Sequence, residues 1–235
     1  MSGDPAQSAQ ARDRRIIRHW LLDLDDTLYP ASTGLFHHVS RRITGRIASL
    51  LGLPEDEARR VQRAYWRKYG TSLRGLIVEH GIDPEPFLAH VHDVPVEEIL
   101  APDPALRRML GSLSGERHVF TNGPAEFARR VLTRLGVADQ FSRLFDIRHA
   151  DFIPKPDPHP YRRVLESLGA PGDQIAMVDD SPQNLEPARA LGMMTIWLRS
   201  PDSMAGGSAG NSVALATDGH RTIDRLLDLP RALAL

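Results

Sequence analysis

Residues 18–27 read Arg-His-Trp-Leu-Leu-Asp-Leu-Asp-Asp-Thr, a short apolar run that stops abruptly in carboxylates. Bounded by polar residues, such a run has the pattern of a strand buried on both faces. Side chains alternate along a strand, so Asp23 and Asp25 point one way and Leu24 the other. Beyond the Tyr29-Pro30 break the periodicity becomes helical. Val39, Ile43, Ile47 and Leu50 step by four, four and three onto one face. Pro54, followed by Glu55, Asp56 and Glu57, starts a second helix that runs to Tyr69 and stops at Gly70. Thr71 or Ser72 caps a third helix ending at Gly81, and a fourth runs from Asp83-Pro84 to His92. Residues 31–100 thus form a helical block with no convincing strand.

From Asp103 onward helices and strands alternate. Helix Pro104–Leu113 leads to strand Arg117–Thr121, helix Ala125–Leu135 and strand Leu144–Ile147. Helix Tyr161–Leu168, strand Gln174–Val178, helix Gln183–Leu191 and strand Met193–Leu198 follow. A glycine/serine loop at 205–212 then separates a last strand, Val213–Ala216, from an amphipathic helix around Thr222–Leu229. Alternation of this kind implies an α/β fold with a mainly parallel, Rossmann-like sheet covered on both faces. The helical block lies between the first and second strands, so it is an insertion. The expected organisation is a flexible tail (1–15), a core built from 16–30 and 101–235, and an α-helical cap at 31–100.

The chain of 235 residues is 41% hydrophobic, has no cysteine, and balances 29 Lys+Arg against 30 Asp+Glu for a formal net charge of -1. Without cysteine, disulfide scaffolds, thiolate metal sites and cysteine nucleophiles are excluded. The near-zero charge gives no pull toward nucleic acid or an acidic membrane surface. No apolar run approaches the length of a spanning helix, and the start resembles neither a signal peptide nor an anchor. The expectation is a soluble cytoplasmic protein with neither nucleic acid nor membrane as partner; the oligomeric state is left open.

Four polar clusters fall at expected strand ends: Asp23-Leu-Asp25-Asp-Thr27, Thr121-Asn122-Gly123, Lys155 within Pro154-Lys-Pro-Asp-Pro158, and Asp179-Asp180. In open parallel sheets the ligand crevice lies at the carboxyl ends of the strands, which would gather these clusters. Their chemistry is coherent. A carboxylate can take a phosphoryl group and split a slow hydrolysis into two easier steps. An anion attacking a phosphate needs cations, and Mg²⁺ binds through one or two carboxylates, phosphate oxygen and waters. Asp23 and Asp180 can supply the carboxylates, with Asp179 alongside. Lys155 can neutralise the transferring oxygens, while the Thr121 hydroxyl and nearby backbone N–H groups cradle them. Asp25 is placed to protonate the leaving oxygen and then to deprotonate the attacking water. Other features read as structural. His90-Val-His92-Asp93 has a metal-ligand look without further ligands nearby. The segment Gly206-Gly-Ser-Ala-Gly210 lacks the lysine and the strand–helix setting of a phosphate loop.

The ordered set DLDDT (23–27), FTNG (120–123), the lysine of PKP (154–156) and VDD (178–180) resembles the haloacid dehalogenase-like hydrolase superfamily, most of whose members are phosphatases. The resemblance covers nearly the whole chain. It implies a core sheet of order 5-4-1-2-3 with an inserted helical cap. It also implies Asp23 as nucleophile, Asp25 as general acid/base, and Thr121, Asn122 and Lys155 as phosphate ligands. Mg²⁺ would be held by Asp23, the Asp25 backbone carbonyl and Asp180, with Asp179 acting through water. True dehalogenases of this superfamily lack the second aspartate, so Asp25 speaks against that reaction.

A more local likeness is to the pyrimidine 5′-nucleotidase branch, carried by residues 23–36, 65–95 and 184–197. It implies a nucleoside monophosphate such as UMP or CMP as the small-molecule partner. Phe36, Arg67, Lys68, Tyr69 and Arg74 are the cap positions that would meet it. The chain departs from the pattern at Asp179, where relatives often carry Glu, and at Arg148-His149. Two alternatives stay open: the same chemistry on a sugar phosphate or phosphoglycolate, and a non-catalytic regulatory or binding module on the same fold.

Overall fold

The computed structural model of the protein describes residues 16–199 and 219–232. Trp20, Leu21 and Leu22 are fully buried, and their strand, β1 (His19–Leu22), pairs in parallel on both edges. Its neighbours are β2 (Glu116–Phe120) and β4 (Ile175–Asp179), with β3 (Arg143–Phe145) beyond β2 and β5 (Met194–Leu198) beyond β4. Adding β6 (Arg221–Ile223) gives a six-stranded sheet of order β3-β2-β1-β4-β5-β6, parallel throughout. The expected 5-4-1-2-3 arrangement is therefore present, extended by one edge strand.

Alternation along β1 decides the layers. Trp20 and Leu22 enter an apolar cluster with Val119, Val178 and Ile196. The same cluster takes Leu106 and Leu110 of α6 (Pro104–Ser112) and Val131 and Leu132 of α7 (Ala125–Leu135). Leu21 enters the opposite cluster with Phe120 and Met177. That side is covered by Tyr161 and Val164 of α8 (Pro158–Leu168) and Leu185 of α9 (Pro182–Ala190). Both faces are buried, which is why the strands read as near-continuous apolar runs.

Between β1 and α6 stand five further α-helices: α1 (Leu35–Leu51), α2 (Glu55–Tyr69), α3 (Ser72–His80), α4 (Pro84–Val91) and the short α5 (Val96–Ile99). The first four share a cluster of their own, including Ile47, Ala58, Leu76, Phe87 and Val91. Thr71 caps α3 by accepting from the Arg74 N–H at 3.1 Å, and Asp83 caps α4 through Glu85 N–H at 3.0 Å. Leu50 does not share the buried face expected for it and is 36% exposed. Thr44 is buried on α1 instead, its hydroxyl donating to Ser40 O at 3.2 Å and bonding to Gln62.

Two expectations at the carboxyl-terminal half need correction. The helix read around Thr222–Leu229 begins as strand β6, because Arg221, Thr222 and Ile223 pair with Ile196, Trp197 and Leu198. The edge of β5 offers a ladder that β-branched Thr222 and Ile223 fit. A 3-10 turn (Leu226–Asp228) and the short α10 (Leu229–Ala232) follow. The third strand ends at Phe145 and not at Ile147, because Asp146 accepts from the Arg148 and His149 N–H groups and winds Ile147–Ala150 into a 3-10 turn. The tail at 1–15, the loop at 205–212 and the strand read at Val213–Ala216 lie outside the described residues. Among the described residues, no helix is long and apolar enough to cross a membrane.

Candidate active site

Strands β1, β2 and β4 run the same way, so the residues just past Leu22 and Phe120 and at the end of β4 meet at one edge of the sheet. Asp23 continues the ladder by one bond, its N–H donating to Val178 O at 3.0 Å. The chain then turns: Leu28 N–H reaches back to Leu24 O at 2.9 Å, and Asp26 sits in the left-handed region at φ 56°. A strand pleat was expected to align Asp23 with Asp25. The strand ends at Leu22, and it is this turn that brings the two carboxylates into each other's field.

Lys155 reaches the same point from the loop after β3. Its ammonium donates to Asp23 Oδ1, Asp179 Oδ2 and Phe120 O, each at 2.8 Å, which uses all three of its donors. Asn122 holds the lysine's backbone from both sides: its Oδ1 accepts from Lys155 N–H at 2.8 Å and its Nδ2 donates to Lys155 O at 3.2 Å. Asp179 is also held by Ser181 N–H at 2.9 Å and by the Asn184 amide at 3.0 and 3.2 Å. The Asn184 carbonyl in turn accepts from the Tyr161 hydroxyl at 2.6 Å. Thr121, buried beside them, accepts from Gly123 N–H at 2.9 Å. Thr27 donates to Asp23 Oδ2 at 3.4 Å, and the Tyr29 hydroxyl donates to Asp25 Oδ1.

Burial sets the electrostatics. It drives Asp23 up to about 7; Lys155 pulls back, while Asp179 and Asp25 push further up. Burial drives Asp180 to about 9, reinforced by Asp179 and Asp23. Asp25 rises to about 6 for the same first reason, against the pull of the Tyr29 hydrogen bond. For Lys155 burial disfavours the charge, but Asp179 and Asp23 outweigh it and keep the ammonium protonated. Asp23, Asp179 and Asp180 offer carboxylate oxygens all within 4.8 Å of one another. Three such carboxyl groups against one ammonium repel one another enough to raise Asp23 and Asp180, and an all-oxygen donor set of this kind suits a hard divalent cation that can take the place of their protons. The residues present fit such an ion.

The helical insertion touches this site through a backbone turn. Gly70, at φ +83°, lies so close to the lysine loop that a Cβ there would meet Pro154 Cγ at 3.0 Å and Lys155 O at 3.1 Å. In sequence Gly70 reads only as a helix stop. The cap side chains singled out from sequence have these surroundings. Lys68 pairs with Glu79 at 3.0 Å and lies 4.7 Å from the centroid of the Tyr69 ring, whose hydroxyl also donates to Glu79. These contacts tie α2 to α3. Phe36 and Arg67 are exposed and Arg74 is half-buried. His90, His92 and Asp93 do not converge: Asp93 pairs with Arg42 at 3.4 Å, and the His92 ring bonds Leu88 O at 3.0 Å. Sequence reasoning missed Tyr29, Asn184 and the bracing role of Asn122, since each acts through contacts that only the fold creates.

The sequence matches the family described as haloacid dehalogenase-like hydrolase over residues 17–192. The chain belongs to the haloacid dehalogenase-like hydrolases. Among curated members, it is 29% identical over 189 residues to Phosphate metabolism protein 8 of Saccharomyces cerevisiae, covering 74% of this chain and 59% of that protein. It is 29% identical over 197 residues to Enolase-phosphatase E1 of Streptomyces avermitilis, covering 75% and 78%. A stretch of 115 residues is 37% identical to Phosphoglycolate phosphatase of Rhodospirillum rubrum, covering 47% and 46%. The chain thus spans less than two thirds of the length of the yeast relative. Among solved structures, a HAD phosphatase from Thermococcus onnurineus superposes with a TM-score of 0.59 at 22% identity, covering 92% of this chain and 98% of that one. L-2-haloacid dehalogenase from Xanthobacter autotrophicus superposes at 0.60 with 19% identity, covering 93% and 98%. These superpositions establish the shared haloacid dehalogenase-like fold.

Proposed function

We propose that this hydrolase is a Mg²⁺-dependent phosphomonoesterase that works through an aspartyl-phosphate on Asp23. The observation that carries the reading is the Lys155 ammonium, 2.8 Å from both Asp23 and Asp179 at the head of a three-carboxylate cluster. An Asp23 oxygen attacks phosphorus, an O–P bond forms, and the ester P–O bond breaks. Asp25 gives its proton to the departing alcohol oxygen. In the second half Asp25 takes a proton from water, whose oxygen attacks the same phosphorus and releases inorganic phosphate, restoring Asp23. Lys155, the Thr121 hydroxyl and the turn at Asn122 present positive charge and donors to the transferring oxygens. Mg²⁺ bound by Asp23 and Asp180, with the Asp25 carbonyl and Asp179 in support, would offset the repulsion between nucleophile and phosphate.

A halide leaves without being protonated, whereas an alkoxide needs an acid beside it. The half-buried acid Asp25, raised to about 6, therefore favours an oxygen leaving group over a halide. Of the phosphate esters, we infer a pyrimidine nucleoside 5′-monophosphate such as UMP or CMP, on the local likeness of residues 23–36, 65–95 and 184–197. A second reading, a phosphoglycolate or sugar phosphate, is favoured by the 37% identity to a phosphoglycolate phosphatase over part of the chain.

Phosphate release measured with Mg²⁺ across a panel of nucleotides, sugar phosphates and phosphoglycolate separates these. A higher kcat/KM for UMP or CMP than for the others is expected, and the reverse order overturns the substrate assignment. Asp23→Asn is expected to abolish turnover, losing about 10³-fold or more, with the circular dichroism spectrum unchanged. Undiminished release in that variant would sink the mechanism. Absence of turnover of every ester by the wild type would favour a regulatory module.

A further inference from the structure

The far end of the sheet holds a second convergence of metal-binding side chains. Register places His19 of β1 directly beside Glu116 of β2, and Glu116 and His118 are two apart, so they share a face. The result is a His₂Glu group assembled from residues 99 positions apart in sequence for its two imidazoles. His19 Nδ1 and His118 Nε2 are 3.2 Å apart, and Glu116 Oε2 lies 3.7 Å from the same His118 nitrogen. One ligand atom from each of the three falls within 4.8 Å of the others. The group sits four strand residues before Asp23, roughly 13 Å along β1, and is separate from the carboxylate cluster.

The spacings carry a geometric signature. Two nitrogens 3.2 Å apart, each about 2.05 Å from a common zinc ion, subtend about 103° at the metal. A carboxylate oxygen 3.7 Å from one of them subtends about 126°, and closing by ~0.3 Å brings it to the tetrahedral value. Glu116 is exposed and free to make that adjustment. His118 is the anchor: it is fully buried, packed against the Phe145 ring at 5.8 Å. Among the described residues its buried Nδ1 has no hydrogen-bond partner, and the polar groups its ring addresses are His19 and Glu116. The nearby guanidinium groups are engaged elsewhere: Arg117 donates to Gln140 O and Leu113 O, and Arg143 to Ser167 O. An N,N,O donor set selects a borderline transition metal, whereas the all-oxygen set at Asp23 selects a hard cation.

We propose that His19, Glu116 and His118 bind a zinc-class divalent transition-metal ion that pins β1 to β2 at the end of the sheet opposite the catalytic carboxylates, with a fourth position open to water. The full chain, stripped with chelator and kept in millimolar Mg²⁺ to occupy the oxygen site, is titrated with Co²⁺ and then challenged with Zn²⁺. One equivalent of Co²⁺ with the intense visible bands of tetrahedral coordination is expected, displaced by Zn²⁺, and Zn²⁺ is expected to raise the Tm. His19→Gln and Glu116→Gln, both at the accessible rim, are expected to fold normally by circular dichroism, to weaken Co²⁺ binding about tenfold or more, and to lose the Tm response. Absence of the tetrahedral bands in the wild type overturns the proposal. So does equal binding in wild type and the His19→Gln variant, which would leave the pair as an ordinary hydrogen bond.

Discussion

The Tyr29 hydroxyl, on a side chain only 1% exposed, donates to Asp25. A donor stabilises the ionised carboxylate, yet burial acts the other way and prevails, leaving Asp25 at about 6. Removing the hydroxyl removes the stabilising influence on the ionised form, so Tyr29→Phe raises Asp25 further. If Asp25 must be protonated to release the alcohol, the alkaline limb of kcat/KM moves to higher pH in Tyr29→Phe, because the acid form persists longer. A pH–rate profile with a poor leaving group reads this directly; a limb that stays put removes Asp25 from the acid role. Lys155 shows the same logic with the opposite charge. Its three acceptors at 2.8 Å leave no donor unpaired, and Asn122 fixes the backbone beneath it. The motif residues could be read from sequence because four polar clusters come in order at expected strand ends, whereas a single strand-end aspartate such as Asp146 has an ordinary turn-making reason to be there. Tyr29 could not, since next to Pro30 it reads only as the break between strand and helix patterns.

Arg148 joins elements that are far apart in the chain. Its guanidinium pairs with Glu85 of α4 through two bonds, at 2.7 and 2.6 Å, and with Glu126 of α7 at 3.0 Å and Asp146 at 2.9 Å. It thereby ties the helical insertion to the sheet-bearing half. The partners are about half exposed or more apart from Asp146, so each pair contributes little to global stability. Arg148→Met is expected to lower the unfolding free energy by about 1 kcal/mol or less, while amide exchange in α4 speeds up well beyond that in the sheet. Unchanged exchange in α4 would mean that apolar packing alone holds the insertion. At this scale the sequence was legible where period and punctuation agreed. Pro54 with three acids, then Gly70, bounded α2 as observed. It was not legible at β6, three residues whose strand character comes from the waiting edge of β5. Nor could it show that Gly70 meets the lysine loop, since a helix-stopping glycine and a close-approach glycine look the same in one dimension.

Across the whole molecule, the carboxylate cluster at the strand ends also weakens the fold. An aspartate normally ionises more easily in the folded state; here burial and mutual repulsion reverse the sign for Asp23, at about 7, and Asp180, at about 9. A carboxyl whose folded pKa is raised binds more protons folded than unfolded. Its contribution is therefore present below the unfolded value near 4 and is lost as pH rises through about 7 to 9. His92 works oppositely: burial lowers it to about 4, so its contribution is present above 6.5 and is lost as pH falls toward 4. The cation-free protein should then be most stable on the mildly acidic side of neutrality. Divalent cation competes with protons for the same oxygens, so Mg²⁺ should raise Tm more at pH 8 than at pH 5.5. Asp180→Asn removes one of the repelling charges. In the presence of chelator at pH 8 it is expected to stabilise the fold, on the order of 1–3 kcal/mol, while abolishing turnover and most of the Mg²⁺ response. Thermal melts of wild type and variant, with Mg²⁺ and with chelator at both pH values, measure all of this at once. A variant less stable than wild type in chelator would show that Asp180 is held by compensating contacts, and that function and stability are not opposed at this cluster.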